Sequence, residues 1–460
     1  MPKTLFEGFN EVSAKEWKQK IQADLKGEDY ESLIFHSREG IDVKPFYHLD
    51  DAQEREISAT PEKWQVTDKF EIDDTDNGIE TIKHGLSKGA EALWLQLTSE
   101  NIDLKKLLKS FDLAQIPVFL ESKTFTEENL GELTSILKNK KHQVSLGIDI
   151  IGHLAASGNW HKDLKTDFET LETALTFQQN FQQIISVNTS VYQNAGATMV
   201  QELAYSLAHV NEYLNYLHQN KPEALENFQP VFKVACGSNY FFEIAKLRAL
   251  RNLYASIAQA YDAPEEIKIL AFPTLRNKTL YDYNVNLLRT TTECMSAILG
   301  SADYVCNIAY DSFYHKENEF GRRIARNQLL ILKEESYFNK VSNISDGSYY
   351  IEELTQKLGE KALSIFKDIE KGGGYLKQLK EGIIQRKISE SAKREENSFN
   401  ETRKILVGTN KYKNEEDNMK NDLEIDPFLK VEKRRTLLQP IIQKRLAENL
   451  EKQRLANEHN

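Results

Sequence analysis

The sequence is poor in cysteine, in basic excess and in long apolar runs, and each shortage removes a class of function. Only Cys236, Cys294 and Cys306 occur in 460 residues, far apart and in apolar surroundings. Buried reduced thiols are expected there rather than a metal site or a nucleophile. Reduced thiols in turn favour a reducing compartment, read here as the cytoplasm. Acidic residues outnumber basic ones 70 to 59, giving a net charge of -11. With no strongly basic face to hold a phosphate backbone, no nucleic-acid partner is expected. No run of about 18 apolar residues occurs, and the opening MPKTLFEGFNEVSAKEWKQ lacks the apolar core of a signal peptide, so no membrane partner is expected. Internal repeats and low-complexity tracts are absent as well.

What the chain does contain is a periodic middle. Short runs rich in β-branched and aromatic residues predict strands at 64–71, 92–97, 117–120, 144–150, 184–188, 231–236, 267–272 and 304–309. Between them, apolar residues recur at three and four positions over 79–88, 126–138, 197–217, 240–261 and 285–299, which predicts helices. Residues 64–310 together approach the roughly 250 residues of an eight-fold β/α barrel, although alternation by itself also permits an open doubly wound sheet. The runs VSLGIDII and VFKVACGS are apolar nearly throughout, as parallel strands covered on both faces require. In a barrel, residues 189–194, 237–239 and 273–278 would rim the mouth.

Three domains are drawn: an N-terminal helical extension (1–60), a β/α barrel with following helices (61–385), and a polar connector with a C-terminal helix (386–460). In the first, Ser13 and Glu16 form a capping box for a helix over 13–25. Beyond the barrel, helices are expected at 321–335 and 351–371, the latter closed by Gly372, Gly373 and Gly374. Residues 389–424, dense in Lys, Glu and Asn, read as a solvated connector. A last helix is expected over 440–456, with Pro440 in its first turn and Ile442, Leu446 and Leu450 on one stripe.

Several blocks, in order and at plausible distances, resemble the methylmalonyl-CoA mutase family. They are SVNTSVYQNAGATMVQELAY (186–205), YFFEIAKLRALRNLYASI (240–257), NVNLLRTTTECMSAILGSAD (284–303), GRRIARNQLLILKEES (321–336), DGSYYIEELT (346–355) and VGTNKY (407–412). The resemblance implies a TIM-like barrel and the interconversion of succinyl-CoA and methylmalonyl-CoA, with adenosylcobalamin as radical source. In such catalytic chains the CoA substrate threads the barrel, while a tyrosine, an arginine and a histidine steady the radical. Here the histidine position is Val191, since Gln193, Asn194, Ala195, Gly196 and Ala197 align with the family's Gln-Glu-Ala-Gly-Ala. Aligning the family's Tyr-Arg-Gly-Arg-Pro-Trp run on Trp64 puts Ala59 at its tyrosine and Thr60 and Glu62 at its arginines. The family's thioester-contacting segment is replaced by GIDIIGHLAASGNW. Its loop after the strand at 267 survives only as AFPTLRNKT, where Arg276 and Lys278 stand as exposed candidates for an anion contact.

None of the ten histidines lies in the family's cobalamin-binding Asp-x-His-x-x-Gly segment, and the residues after Tyr412 are too few for that domain. The resemblance therefore implies a small subunit with no catalytic, cofactor-binding or metal residue of its own. Val191, Tyr192, Gln193, Asn194, Arg276 and Lys278 would line a vestigial pocket. Its partner would be a large catalytic subunit, in a heterodimer, that holds the adenosylcobalamin. Residues 13–25, the helix beginning YFFEIAKLRALR and the C-terminal helix are the candidate contacts with it. One alternative is an independent barrel enzyme with altered chemistry on acyl-CoA-type substrates, for which Glu202, Arg248, Glu293 and Asp311 are ionisable candidates, although helix-face charges and caps are the favoured account of them. Another is a split enzyme that receives cobalamin from a small protein, which leaves the proton-transfer group at Val191 still missing.

Overall fold

A computed structural model describes residues 8–51, 57, 60–122, 125–138, 140–429 and 434–458. Ala59 lies outside the described residues. Eight parallel strands form one sheet: β1 (Gln65–Ile72), β2 (Ala92–Leu97), β3 (Val118–Ser122), β4 (Val144–Leu146), β5 (Ser186–Asn188), β6 (Val231–Cys236), β7 (Lys268–Pro273) and β8 (Tyr304–Cys306). Their order is β4-β3-β2-β1-β8-β7-β6-β5. The two ends meet through a parallel bridge between Ile148 and Ile185, with Leu146 N–H donating to Gln183 O at 2.8 Å and Ser186 N–H to Ile148 O at 2.9 Å. That seam makes the sheet a barrel and removes the doubly wound alternative.

Alternate residues on each strand face opposite ways, and the two sets differ in kind. Outward residues such as Val66, Phe70, Leu93, Leu95, Val118, Leu120, Phe232 and Ile269 join the main core beneath the surrounding helices. Inward ones form a separate cluster of Trp94, Phe119, Val231, Ala235, Leu270, Phe272 and Cys306, with Tyr304 and Ile308 against it. Trp94 packs on Phe272 with ring centroids 5.3 Å apart and Phe119 on Tyr304 at 4.6 Å. The lumen is thus a packed core rather than a channel. Above this aromatic plug, Lys233 Nζ donates to Glu121 Oε1 at 2.5 Å and Gln96 Nε2 to Glu121 Oε2 at 2.8 Å.

The helices begin and end where short-range chemistry directs. Ser13 and Glu16 make the expected capping box at the start of α1 (Ala14–Asp24), although none of the helix's residues is buried. The elements α2 (Thr75–Ser87), α3 (Leu104–Lys109), α4 (Glu127–Leu137), α5 (Ile150–Ser157), α6 (Leu164–Thr176) and α7 (Ser190–Asn194) follow successive strands. Next come α8 (Met199–Asn220), α9 (Tyr240–Ala258) and α10 (Val285–Leu299). A turn with positive φ at Gly373 and Gly374 follows α12 (Tyr349–Lys371), after α11 (Glu319–Leu330) and its π-helical extension. Short α13 (Tyr375–Lys380) leads into α14 (Ile383–Asn400).

Four expectations need correction. Strand β4 covers only Val144–Leu146, with a lone bridge at Ile148, because Asp149 caps a helix that starts at Ile150, its carboxylate accepting from Gly152 N–H. At Gly147 a Cβ would lie 2.5 Å from Glu121 Cγ. The supposed connector begins as helix α14, which buries Ile384, Ile388, Ser391, Glu395 and Phe399. Helix α9, offered as a partner contact, is buried along most of its length. And α15 covers only Glu448–Asn457. Residues 436–447 instead cross the C-terminal face of the barrel as an irregular strap, with a bend at 437–438 and a turn at 446–447. Leu438 N–H donates to Gly158 O at 3.1 Å, Ile441 to Ala155 O at 2.8 Å, Lys444 to Asn194 O at 3.1 Å and Leu446 to Arg276 O at 2.7 Å. Backbone donors committed to those distant carbonyls are unavailable to a helix, whatever the local propensity.

Candidate functional site

A cavity of about 830 Å³ opens at the C-terminal ends of β2 to β6, where barrels of this kind place their ligands. Its floor is Gln96, Glu121 and Lys233, directly over the aromatic plug, and Leu97, Phe125, Ile148, Ile150 and Ala156 supply apolar wall. Asn188, Asp149, His153, His161, Lys162 and Asp167 are among its polar lining. Glu121 stays ionised: burial would raise its pKa, but Lys233 and the amide of Gln96 outweigh that.

Asp149 is the most heavily bonded group of the wall. Its Oδ1 accepts from His209 Nε2 at 2.9 Å, Tyr213 Oη at 2.9 Å and Gly152 N–H at 2.8 Å, and Oδ2 accepts from Asn188 N–H at 2.8 Å. Burial opposes ionisation, yet these partners, His209 foremost, bring the carboxyl down to about 2. Gly152 is needed here, since a Cβ would meet Asp149 Oδ2 at 2.2 Å. The other face of His209 continues the chain of bonds: Nδ1 lies 3.1 Å from Tyr192 Oη, which is 2.6 Å from Tyr375 Oη. His153 and His161 stack with centroids 3.6 Å apart. Burial, then the neighbouring imidazole, lowers His153 to about 4, and burial lowers His161 too. At neutral pH the cavity therefore has a saturated carboxylate and weakly basic imidazoles. Neither is matched to proton transfer at that pH, so the lining suits binding better than acid–base chemistry. Among the described residues, no three His, Cys, Asp or Glu side chains are placed to share a metal ion.

The residues singled out in the sequence lie elsewhere. Val191 and Tyr192 are buried in the core, and Tyr192 serves the chain of bonds just described. Gln193 and Asn194 accept from Thr274 Oγ1 at 2.5 and 2.7 Å, and Asn194 donates to Gln443 Oε1 of the strap at 3.1 Å. Arg276 and Lys278 were expected to be exposed and are not: they are 5% and 2% exposed. Arg276 bonds Glu395 and the strap carbonyl of Lys444, and Lys278 Nζ bonds Glu293 Oε2 at 2.7 Å. None of the six lines the cavity, nor do residues 237–239. The strap and α14 cover that side of the mouth, and the open volume lies towards β2 to β5.

The alternative candidates are not helix-face charges either. Glu202, Arg248, Glu293 and Asp311 are all buried. Glu202 pairs with Lys246 at 2.9 Å, Arg248 with Asp346 and Glu352, Glu293 with Lys278, and Asp311 with His315 at 3.2 Å. Sequence reasoning missed Gln96, Glu121, Asp149 and Lys233. The one available signal was polar residues at inward register positions of strands otherwise apolar, together with the two glycines of GIDIIG that make room for two carboxylates.

Residues 100–457 match the family model for methylmalonyl-CoA mutase. A methylmalonyl-CoA mutase small subunit of Porphyromonas gingivalis is 33% identical over 89% of this chain and 71% of its own length. A small subunit of Streptomyces virginiae is 30% identical over 77% of this chain, which spans 59% of that relative. For a small subunit of Propionibacterium freudenreichii subsp. shermanii the identity is 27%, over 81% of this chain and 64% of the relative. With a match of this breadth through barrel, strap and tail, the chain belongs to the methylmalonyl-CoA mutase family.

Proposed function

We propose that this chain is a non-catalytic small subunit of methylmalonyl-CoA mutase that supports a large catalytic subunit in the interconversion of succinyl-CoA and methylmalonyl-CoA. The observation that carries the reading is the filled lumen. A catalytic barrel of the family threads its CoA substrate along the axis, and here Trp94, Phe119, Leu270, Phe272 and Tyr304 occupy that path. Val191, buried at the histidine position, adds no group able to move a proton. Adenosylcobalamin is assigned to the partner because these residues do not suit it. The strap crosses the face a corrinoid would cover, and the cavity's imidazoles, His153 and His161, are stacked on each other rather than offered singly to cobalt.

Coexpression with a large mutase chain tests the reading. The two are expected to copurify, and the isolated small chain, given adenosylcobalamin and succinyl-CoA, is expected to give no isomerisation. Turnover by the isolated chain would sink the proposal. The mouth cavity favours one second reading, an independent barrel enzyme with altered chemistry on acyl-CoA-type substrates; its mark would be acyl-CoA turnover by the isolated chain without cobalamin.

A further inference from the structure

One buried carboxylate, Glu395 on α14, receives three cations. Arg38 Nη1 lies 2.9 Å from Oε1, Lys404 Nζ pairs with the same oxygen, and Arg276 Nε donates to Oε2 at 3.0 Å. Burial would raise the pKa of Glu395, but Lys404, Arg38 and Arg276 outweigh it and bring the carboxyl to about 2. The group is thus ionised near neutral pH, and the cluster keeps two positive charges in excess. Its surroundings offset them only in part. Glu396 is matched by Lys444 at 3.2 Å, and Glu390 by Lys387 at 3.6 Å. Glu39, next in sequence to Arg38, accepts from Val200 N–H at 3.0 Å, and burial raises its pKa. Arg394, bonded to Ser391 Oγ at 3.3 Å, adds a further cation nearby.

A second observation is independent of that count. Arg276 is 5% exposed, and its Nη2 has no hydrogen-bond partner among the described residues. It lies against Gly196, where a Cβ would come within 2.9 Å of it, and Arg38 Nη2 donates to the carbonyl of the same glycine at 2.6 Å. The two guanidinium ends therefore converge on one backbone position. Unpaired charge and an unmade hydrogen bond are costly in a buried setting, whereas an acceptor anion would relieve both. Within the cluster, exposure lies with Arg38 and Lys404, whose side chains are 34% and 31% exposed.

We propose that Arg38 and Lys404, backed by Arg276, bind a small phosphate dianion, either free or as the terminal group of a phosphomonoester. A carboxylate would cancel half the excess charge, whereas phosphate carries about -1.5 to -2 at neutral pH and offers several strong acceptor oxygens to the arginine and lysine donors. The site is separate from the mouth cavity, and it does not depend on whether the chain is a catalytic or a supporting subunit.

The test is calorimetric titration of the full chain with sodium phosphate against sodium chloride of matched ionic strength, with glycerol phosphate as a second ligand. Saturable binding of phosphate is expected, weakened about tenfold or more in Arg38→Gln and in Lys404→Gln and retained in Lys404→Arg. The thermal midpoint should rise with phosphate in the wild type and in Lys404→Arg but not in Lys404→Gln, whose melt without ligand reports whether it is folded. Equal binding of glycerol phosphate identifies the monoester, and weaker binding identifies the free ion. No saturable heat, a heat that chloride reproduces, or binding unchanged in both glutamine variants overturns the proposal.

Discussion

Glu202 is 2% exposed and lies between Lys246 and Thr189, with Glu243 sharing the same lysine. Burial raises its carboxyl pKa from 4.5 to about 7; Lys246 opposes that rise and Glu243 adds to it. Between those two values the folded chain holds a proton that the unfolded chain has released. Its contribution to stability is therefore present below pH 4.5 and lost as pH rises through about 7. Glu202→Gln keeps the shape and removes the titration. We expect the fall in thermal midpoint between about pH 5 and 7.5 to be shallower in this variant than in the wild type. Melts followed by circular dichroism measure the difference, and equal slopes would show that the proton is held elsewhere. The same residue shows why the sequence misled. A glutamate in the first turn of a helix reads as a dipole partner facing water, and only tertiary packing puts Lys246, Glu202 and Glu243 together.

Elements were legible in proportion to how far their burial follows a simple period. All eight strands were visible, since each is a short run of apolar or β-branched residues, and the helices beneath the barrel kept their three-and-four spacing. Helix α14 was not visible as a packed element, because the face it buries includes Ser391 and Glu395, which are held by hydrogen bonds and ion pairs rather than by oil-like contact. The strap was misread for a related reason. The stripe of Ile442, Leu446 and Leu450 reads as helical, yet Ile442 is exposed while Leu438 and Ile441, off that stripe, are buried, and the bonds that hold the strap come from residues distant in sequence. Its depth was hidden as well, and with it the burial of Arg276. The strap's amides at Leu438, Ile441, Lys444 and Leu446 are expected to exchange with solvent as slowly as those of the neighbouring loops they bind. Hydrogen exchange read by mass spectrometry checks this, and fast exchange across 436–447 would remove the strap as a fixed cover over the mouth.

For the whole molecule the plug in the lumen is the feature with the widest reach. The cavity above it was beyond sequence reasoning because its lining comes from five strand ends and three helices that no local pattern links. Trp94 joins both regions: its ring packs on Phe272 below, and Lys233 Nζ lies 5.9 Å above its centroid, next to Glu121. Trp94→Ala should lower the stability of the chain by about 3–5 kcal/mol, as expected for removing a large aromatic from a packed interior. Urea denaturation at neutral pH measures it, and a loss below about 1 kcal/mol would mean a lumen loose enough to admit a ligand chain.

The barrel is also stitched unevenly. β1 and β2 run together for six residue pairs from Thr67 to Ile72, whereas β4 and β5, three residues each, close the barrel mostly beyond their own ends, through the bridge at Ile148 and Ile185 and the backbone bonds of Gln182, Leu146, Ile148 and Ser186. That closure is shorter than the β1–β2 ladder, so opening of this wall is expected to favour that line. Gly147, Ile148 and Asn188, which border that line, also border the cavity. A solute arriving from the side would meet the yielding part of the stave-work first, and a clamp fastened across it would slow entry without touching a single lining group.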